Sequence, residues 1–161
     1  MQGGIVDRRR LRPRLRFHAA ILLAIGACAV EAQTLQLFGT WKLNAAKSTM
    51  AGPPPKSQTV TFRPSGPDAV TGMEDTVYAD GAHTTIEYTA KTDGRDYSIA
   101  GSPEILARAD TISMRRVDAL TIEWSYKKRG GLVLTLPGAL SADGRTLTMT
   151  AAGNVLVYER Q

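Results

Sequence analysis

The feature that most constrains this chain is an alternation of apolar and polar residues with a period of two, recurring between residues 84 and 157. Its clearest stretch places Leu120, Ile122, Trp124 and Tyr126 on one face and threonine, glutamate, serine and lysine on the other. Beyond the N-terminal segment, no stretch shows the 3.6-residue period of an amphipathic helix. An apolar face opposite a threonine-rich face is typical of antiparallel strands that bury one side. The sequence therefore predicts an all-β fold.

Pairs of turn-forming residues separate the alternating runs. Asp80-Gly81, Asp93-Gly94, Gly130-Gly131 and Asp143-Gly144 can supply the positive φ angles of tight hairpin turns. Because successive hairpins place sequence neighbours side by side, the chain is predicted to form an antiparallel up-and-down β-barrel of about eight to ten strands. The predicted strands are 38–43, 57–63, 69–78, 83–91, 97–100, 109–117, 119–129, 132–141, 145–152 and 154–160.

Three segments interrupt the alternation. Residues 44–56 contain Gly52-Pro53-Pro54-Pro55, and prolines cannot donate to a strand ladder, so we expect an extended surface loop. Residues 100–107 are predicted to form a second loop, with room for one helical turn. Pro137-Gly138 falls inside a predicted strand and indicates an edge or a bulge.

The first 32 residues have the three parts of a secretory signal peptide. A basic region runs from Arg8 to Arg16, and a 12-residue apolar stretch follows from Ala19 to Val30. Val30-Glu31-Ala32 offers small residues for cleavage before Gln33. The apolar stretch is short for a permanent membrane span. We therefore predict a signal helix in residues 1–32, a domain in residues 33–161, and a secreted or periplasmic protein.

Cys28, the only cysteine, leaves a second route open. Ile25-Gly26-Ala27-Cys28 resembles a bacterial lipobox, in which the cysteine carries the lipid anchor of a lipoprotein. The alternative is that Cys28 is a small apolar residue of the signal. Either route leaves the domain without a disulfide, so its own core must hold it together.

Most of the excess of basic over acidic residues lies in the N-terminal segment. The full sequence has a net charge of +5, but without residues 1–32 it keeps 14 basic and 13 acidic residues, a net charge of +1. A neutral domain lacks the broad positive face that nucleic-acid binding requires. We expect no nucleic-acid partner.

Phe38-Gly39-Thr40-Trp41-Lys42-Leu43 resembles the opening strand of the calycins, the superfamily of lipocalins and fatty-acid-binding proteins. Val157-Tyr158-Glu159-Arg160 resembles their last strand, which returns beside the first. The layout between them is similar to secreted bacterial lipocalin-like proteins. The resemblance implies a lipocalin-like barrel closed by its first and last strands. It also implies that Trp41 plugs one end and that Arg160 covers the ring through a cation–π contact.

The sequence departs from the fatty-acid-binding proteins in two places. Residues 44–56 are too short and too rich in proline for the helix pair that follows their first strand. Tyr158 matches the tyrosine of their carboxylate clamp, but Leu156 stands at the arginine position. The lipocalin disulfide is absent as well.

The chain carries no signature of catalysis. His83 is the only histidine after the signal segment, whereas zinc sites need three or four protein ligands. No nucleophile elbow, phosphate loop or dinucleotide fingerprint is present. We therefore expect neither an enzyme nor a bound metal or cofactor.

The apolar face of the predicted barrel supplies the candidate ligand-binding residues. They are Tyr88, Met114, Arg116, Trp124 and Tyr158. Arg116 continues the face of Met114. At a barrel mouth it can bind a ligand carboxylate or pair with Glu104 or Asp118, and the alternative is that it extends to water.

An eight-stranded barrel can hold one small ligand or fill its interior with side chains. We predict a monomeric, non-enzymatic binder of a small hydrophobic ligand, with membrane contact only through the signal segment or a lipidated Cys28. The alternative is a packed barrel without a ligand, acting as a structural or envelope-associated interaction module.

Overall fold

A computed structural model describes residues 36–161 of the chain. They form a closed barrel of ten antiparallel strands, which confirms the predicted all-β fold. The predicted signal helix and Cys28 lie outside the described residues. The strands are β1 (Gly39–Leu43), β2 (Ser57–Pro64), β3 (Ala69–Val77), β4 (His83–Lys91), β5 (Asp93–Gly101), β6 (Thr111–Arg116), β7 (Thr121–Lys128), β8 (Gly131–Leu140), β9 (Thr146–Ala151) and β10 (Asn154–Arg160).

Each strand pairs with its neighbours in sequence, and the first strand closes the barrel against the last. Trp41 lies opposite Arg160 in the β1–β10 pair and opposite Val60 in the β1–β2 pair. In such a meander, alternate connections meet at the same end of the barrel. We call the end with the β2–β3, β4–β5, β6–β7 and β8–β9 connections the basal end, and the other the apical end.

The two longer connections lie at the apical end. The β1–β2 loop contains a 3-10 helix at Ala45–Lys47 and a bridge between Thr49 and Val155, so it is held against β10. The β5–β6 connection contains α1 (Pro103–Arg108), a single short helix where one helical turn was predicted. Among the described residues, no helix has the length and apolar character needed to cross a membrane.

Of the glycines in the predicted turns, Gly81, Gly94, Gly130 and Gly144 adopt positive φ and Gly131 does not. Two turns differ in detail from the prediction. β5 begins at Asp93 instead of residue 97, because Gly94 (φ 76°) lies within the strand, where the pairing with β6 shifts register. The β7–β8 turn uses Arg129 (φ 50°) and Gly130 (φ 80°), which leaves Gly131 as the first residue of β8.

The inward faces of the strands form one hydrophobic core. Phe62 and Trp124 stack inside it with ring centroids 5.7 Å apart and an interplanar angle of 26°. Offset stacking of this kind adds to the free energy gained by burying the rings. The largest fully buried side chains are Trp41, Trp124, Tyr158, Phe62, Leu37, Ile112, Met114, Leu147 and Val70.

The barrel wall has a gap between β8 and β9. β8 pairs with β7 from Gly131 to Ala139, but its pairing with β9 is limited to residues 138–140. Pro137 has no N–H to donate, and the β8–β9 ladder ends at the next residue, Gly138. This agrees with the strand edge that the sequence predicts at Pro137-Gly138. Within the described chain, no strand pairs with the β9-facing side of β8 between residues 131 and 137. We call this opening the β8–β9 gap.

Candidate functional site

Trp41 and Arg160 form the predicted contact at the basal end. Arg160 Cζ lies 4.3 Å from the centroid of the Trp41 ring, and Trp41 is fully buried. The indole Nε1 donates to Leu37 O at 2.8 Å. Gly39 (φ 138°) follows Phe38, and a Cβ at this glycine would lie 2.7 Å from Arg160 Nη1. The arginine therefore requires a glycine beside it.

The guanidinium of Arg160 also donates to three backbone carbonyls in two separate segments of the chain. Its Nε donates to Gly144 O at 2.7 Å, and its Nη1 donates to Phe38 O at 2.5 Å. Its Nη2 donates to Gln36 O. One side chain thus links β10 to the segment before β1 and to the β8–β9 turn. The role of this cluster is therefore structural.

A different, polar cluster lies inside the barrel around Glu74. On β3, Glu74 shares the inward face with Val70, Gly72 and Thr76. Glu74 Oε1 accepts hydrogen bonds from Gln58 Nε2 at 2.8 Å and from Thr76 Oγ1 at 3.1 Å. Both bonds reach the same oxygen, and Oε2 accepts none from the described residues.

Gln58 extends the cluster to the last strand. Its Oε1 accepts a hydrogen bond of 3.0 Å from the hydroxyl of Tyr158. The chain from Tyr158 through Gln58 to Glu74 crosses β10, β2 and β3. The partly buried carboxylate is therefore held directly by β2 and by its own strand, and indirectly by β10.

Burial changes the acid–base properties of these groups. It raises the pKa of Glu74 from its ordinary value of 4.5, although the hydrogen bonds from Gln58 and Thr76 oppose the shift. Burial also raises the pKa of three tyrosines whose hydroxyls therefore stay protonated near neutral pH. They are Tyr88, Tyr126 and Tyr158.

Trp124 places a buried donor beside this cluster. Its side chain is 1% exposed, and its Nε1 faces the hydroxyl of Tyr88 without a hydrogen bond of good geometry to any described residue. A buried N–H without a good partner costs about 1–3 kcal/mol, so Trp124 favours a further acceptor at this position. The neighbouring Tyr88 fits only because residue 72 is glycine: a Cβ there would lie 2.3 Å from Tyr88 Cζ.

These groups border a cavity of about 20 Å³ inside the barrel. A space of that size holds about one water molecule or one hydroxyl group. Leu136 and Met149 border it where the β8–β9 ladder ends, so the cavity adjoins the β8–β9 gap. The lining residues are Val60, Phe62, Met73, Glu74, Ile86, Tyr88, Trp124, Tyr126, Leu136 and Met149.

The structure brings three of the five predicted ligand-binding residues to this site. Tyr88 and Trp124 line the cavity, and Tyr158 reaches it through Gln58. Met114 is fully buried opposite Trp124 in the β6–β7 pair but does not border the cavity. Arg116 lies opposite Ile122 near the basal end, away from the lining residues.

Sequence reasoning missed Glu74 and Gln58. The inward face of β3 reads Val70, Gly72, Glu74 and Thr76, so it lacks the apolar alternation that marks the other strands. The turn at Asp80-Gly81 could have indicated the position of Glu74. It fixes the β3–β4 register, and this register places Glu74 opposite the apolar Ile86.

The outer surface carries grooves of about 340 Å³ and 420 Å³. The first lies across β2–β5 and the second beside α1. Asp75, in the first, already pairs with His83 at 2.8 Å. No group of three or more histidine, cysteine or acidic residues within residues 36–161 has the arrangement of a metal site. Glu74 lines the first groove as well as the internal cavity, so the two spaces share its side chain.

Comparison with protein-family models yields no match for this chain, and comparison with curated proteins yields none. The site must be interpreted from its own geometry.

Proposed function

We propose that this protein is a lipocalin-like binder of a small, largely apolar ligand, with the cavity beneath the β8–β9 gap as its binding site. The observation that carries the proposal is the buried Trp124 Nε1 at this cavity, which makes no hydrogen bond of good geometry among the described residues. A polar ligand atom there would offer this donor a better acceptor than the neighbouring Tyr88 hydroxyl. The contact between Arg160 and Trp41 supports the calycin resemblance, because it joins the two motifs on which that resemblance rests.

The size of the cavity determines how a ligand fits. Pockets for drug-sized molecules measure roughly 300–1,000 Å³, far more than the volume of about 20 Å³ of this cavity. Only the polar end of a ligand fits inside without rearrangement. The rest lies in the β8–β9 gap, beside Leu136 on β8.

We place the protein outside the cytoplasm, as a secreted or periplasmic protein released by cleavage before Gln33. The alternative is a lipoprotein anchored through Cys28. Both rest on the N-terminal sequence. A barrel that needs no disulfide fits either location.

Native mass spectrometry of the purified protein tests for binding, first for a co-purified small molecule and then with added 1-decanol and decanoate. Leu136→Trp would replace an aliphatic side chain at the mouth of the cavity by a larger, aromatic one. We expect it to weaken the binding of any such ligand at least about tenfold. Val117→Trp is the matched control, because Val117 is 49% exposed and lies beyond β6 at the basal end.

A packed barrel without a ligand is the second candidate function, and the small cavity volume favours it. In that case the domain is a structural or envelope-associated interaction module. Wild-type protein that carries no co-purified molecule and binds neither probe would support this candidate. Binding that both tryptophan variants leave unchanged would move the ligand site elsewhere.

A further inference from the structure

Two atoms at the internal cavity have unused hydrogen-bonding capacity of opposite kinds. Trp124 Nε1 is a buried donor that faces the Tyr88 hydroxyl but makes no hydrogen bond of good geometry among the described residues. Glu74 Oε2 is an acceptor without a donor among the described residues, since Gln58 and Thr76 both bind Oε1. A hydroxyl group can satisfy both atoms, because it donates one hydrogen bond and accepts others.

The cavity admits a head group of that size and disfavours a negative one. Its volume of about 20 Å³ accommodates a single hydroxyl group. No lysine or arginine is among its lining residues, so a carboxylate head would meet Glu74 without a compensating cation. Burying a charge without a partner is strongly unfavourable.

The gap beside the cavity is apolar where a ligand body would lie. Leu134 and Leu136 are half-buried on β8, at positions opposite Tyr126 and Trp124. Leu156 on β10 is also half-buried, opposite the cavity-lining Met149. These side chains offer an aliphatic or aromatic body a surface that continues from the cavity to the exterior.

We propose that the site selects an uncharged amphiphile with a hydroxyl head, such as a long-chain alcohol or a phenol, over a fatty-acid carboxylate. The hydroxyl donates to Glu74 and accepts from Trp124 Nε1, while the apolar body lies in the β8–β9 gap. This inference rests on the proposed function and names the chemical class of its ligand.

Isothermal titration of the purified protein with 1-decanol and with decanoate tests the selection, since the two probes share a chain length and differ in the head. We expect wild-type protein to bind 1-decanol at least about tenfold more tightly than decanoate at neutral pH. Glu74→Gln keeps the shape and an acceptor but removes the negative charge. It should raise the affinity for decanoate about tenfold or more and change that for 1-decanol little.

Trp124→Phe provides an independent variant, because it keeps an aromatic ring while removing the indole donor together with the five-membered part of the ring. We expect it to weaken 1-decanol binding about two- to tenfold, the loss of one hydrogen bond. Glu87→Gln is the matched control for Glu74→Gln: it removes a carboxylate from the outward face of β4 and should leave the affinity for both probes unchanged. Circular dichroism establishes that each variant is folded.

The outcomes separate this inference from the proposed function. Equal affinity of wild-type protein for the two probes, or a decanoate affinity that Glu74→Gln does not raise, would overturn the ligand class and leave a binding barrel. Should Glu74→Gln fail to fold, unchanged 1-decanol binding by Trp124→Phe overturns it instead. If wild-type protein binds neither probe and no molecule co-purifies, the proposed function itself fails.

Discussion

At the scale of single residues, Arg160 combines two roles that usually belong to different side chains. Its planar guanidinium lies over Trp41 and also donates to three backbone carbonyls. Lysine could supply the charge, but not a planar fork with donors in fixed directions. The geometry therefore depends on arginine and on the glycine at position 39 that makes room for it.

Replacing Arg160 by alanine should destabilise the domain by about 2–4 kcal/mol, because it leaves three carbonyls without their donor and uncovers Trp41. Urea unfolding measures the loss. Arg145→Ala is the control, since Arg145 is exposed on the neighbouring β8–β9 turn, and its loss should stay within about 0.5 kcal/mol. Equal losses for the two variants would mean that the contacts of Arg160 add nothing to stability.

At the scale of secondary-structure elements, the two edges of β8 have different environments. One edge pairs with β7 along nearly its whole length, whereas the other pairs with β9 only at residues 138–140. Leu132 and Val133 are 64% and 53% exposed near its free end. Strand edges of this kind are normally shielded from other chains, and here Lys128 and Arg129 lie just before the strand.

We expect amide hydrogen exchange to divide β8 in two. Amides on the β9-facing edge between residues 132 and 136 should exchange rapidly, while paired amides at residues 138–140 stay protected. β3 is the internal control, because it pairs along its full length with both β2 and β4. Uniform protection along β8, measured by NMR, would show that the gap is closed in solution.

At the scale of the whole molecule, the Glu74 cluster links distant parts of the chain and couples global stability to pH. The folded-state pKa of Glu74 lies above 4.5, so the folded protein binds this proton more tightly than the unfolded chain does. Its contribution is complete below pH 4.5 and is lost as pH rises through the folded-state pKa. The groups that face Glu74 are Gln58, Thr76, Tyr88, Tyr126 and Tyr158.

Glu74→Gln removes this titration, so the stability of the variant relative to wild type should increase as pH rises from about 4 to about 8. Urea unfolding across that range measures the difference. Carboxylates with lowered pKa, such as Asp118 and Asp143, lose their contribution to stability as pH falls. Because both proteins contain them, their effect cancels in the difference. A constant difference between variant and wild type would contradict a raised pKa at Glu74.

Much of the barrel could be predicted from the sequence because local patterns determine its strands and turns. Alternation located the strands, and turn glycines such as Gly81 and Gly144 set their order. The Glu74 site could not be predicted in the same way. Its residues come from separate strands, and the inward position of Glu74 depends on cross-strand register. The extent of the gap depends on where pairing between β8 and β9 stops. In the sequence, Pro137 marks only one end of the gap.

The closure of β1 against β10 has a consequence for the time course of protein synthesis. Phe38 and Arg160 meet although 122 positions separate them in the chain. β2 pairs with one edge of β1 early, but the ribosome has made the first nine described strands before β10, the partner of its other edge, exists. Contacts of such long range form late and slow the folding of a domain. Until then the nascent chain presents the uncharged Gly39-Thr40-Trp41 edge to its surroundings. A chaperone that shields this edge during translation should therefore increase the yield of folded protein.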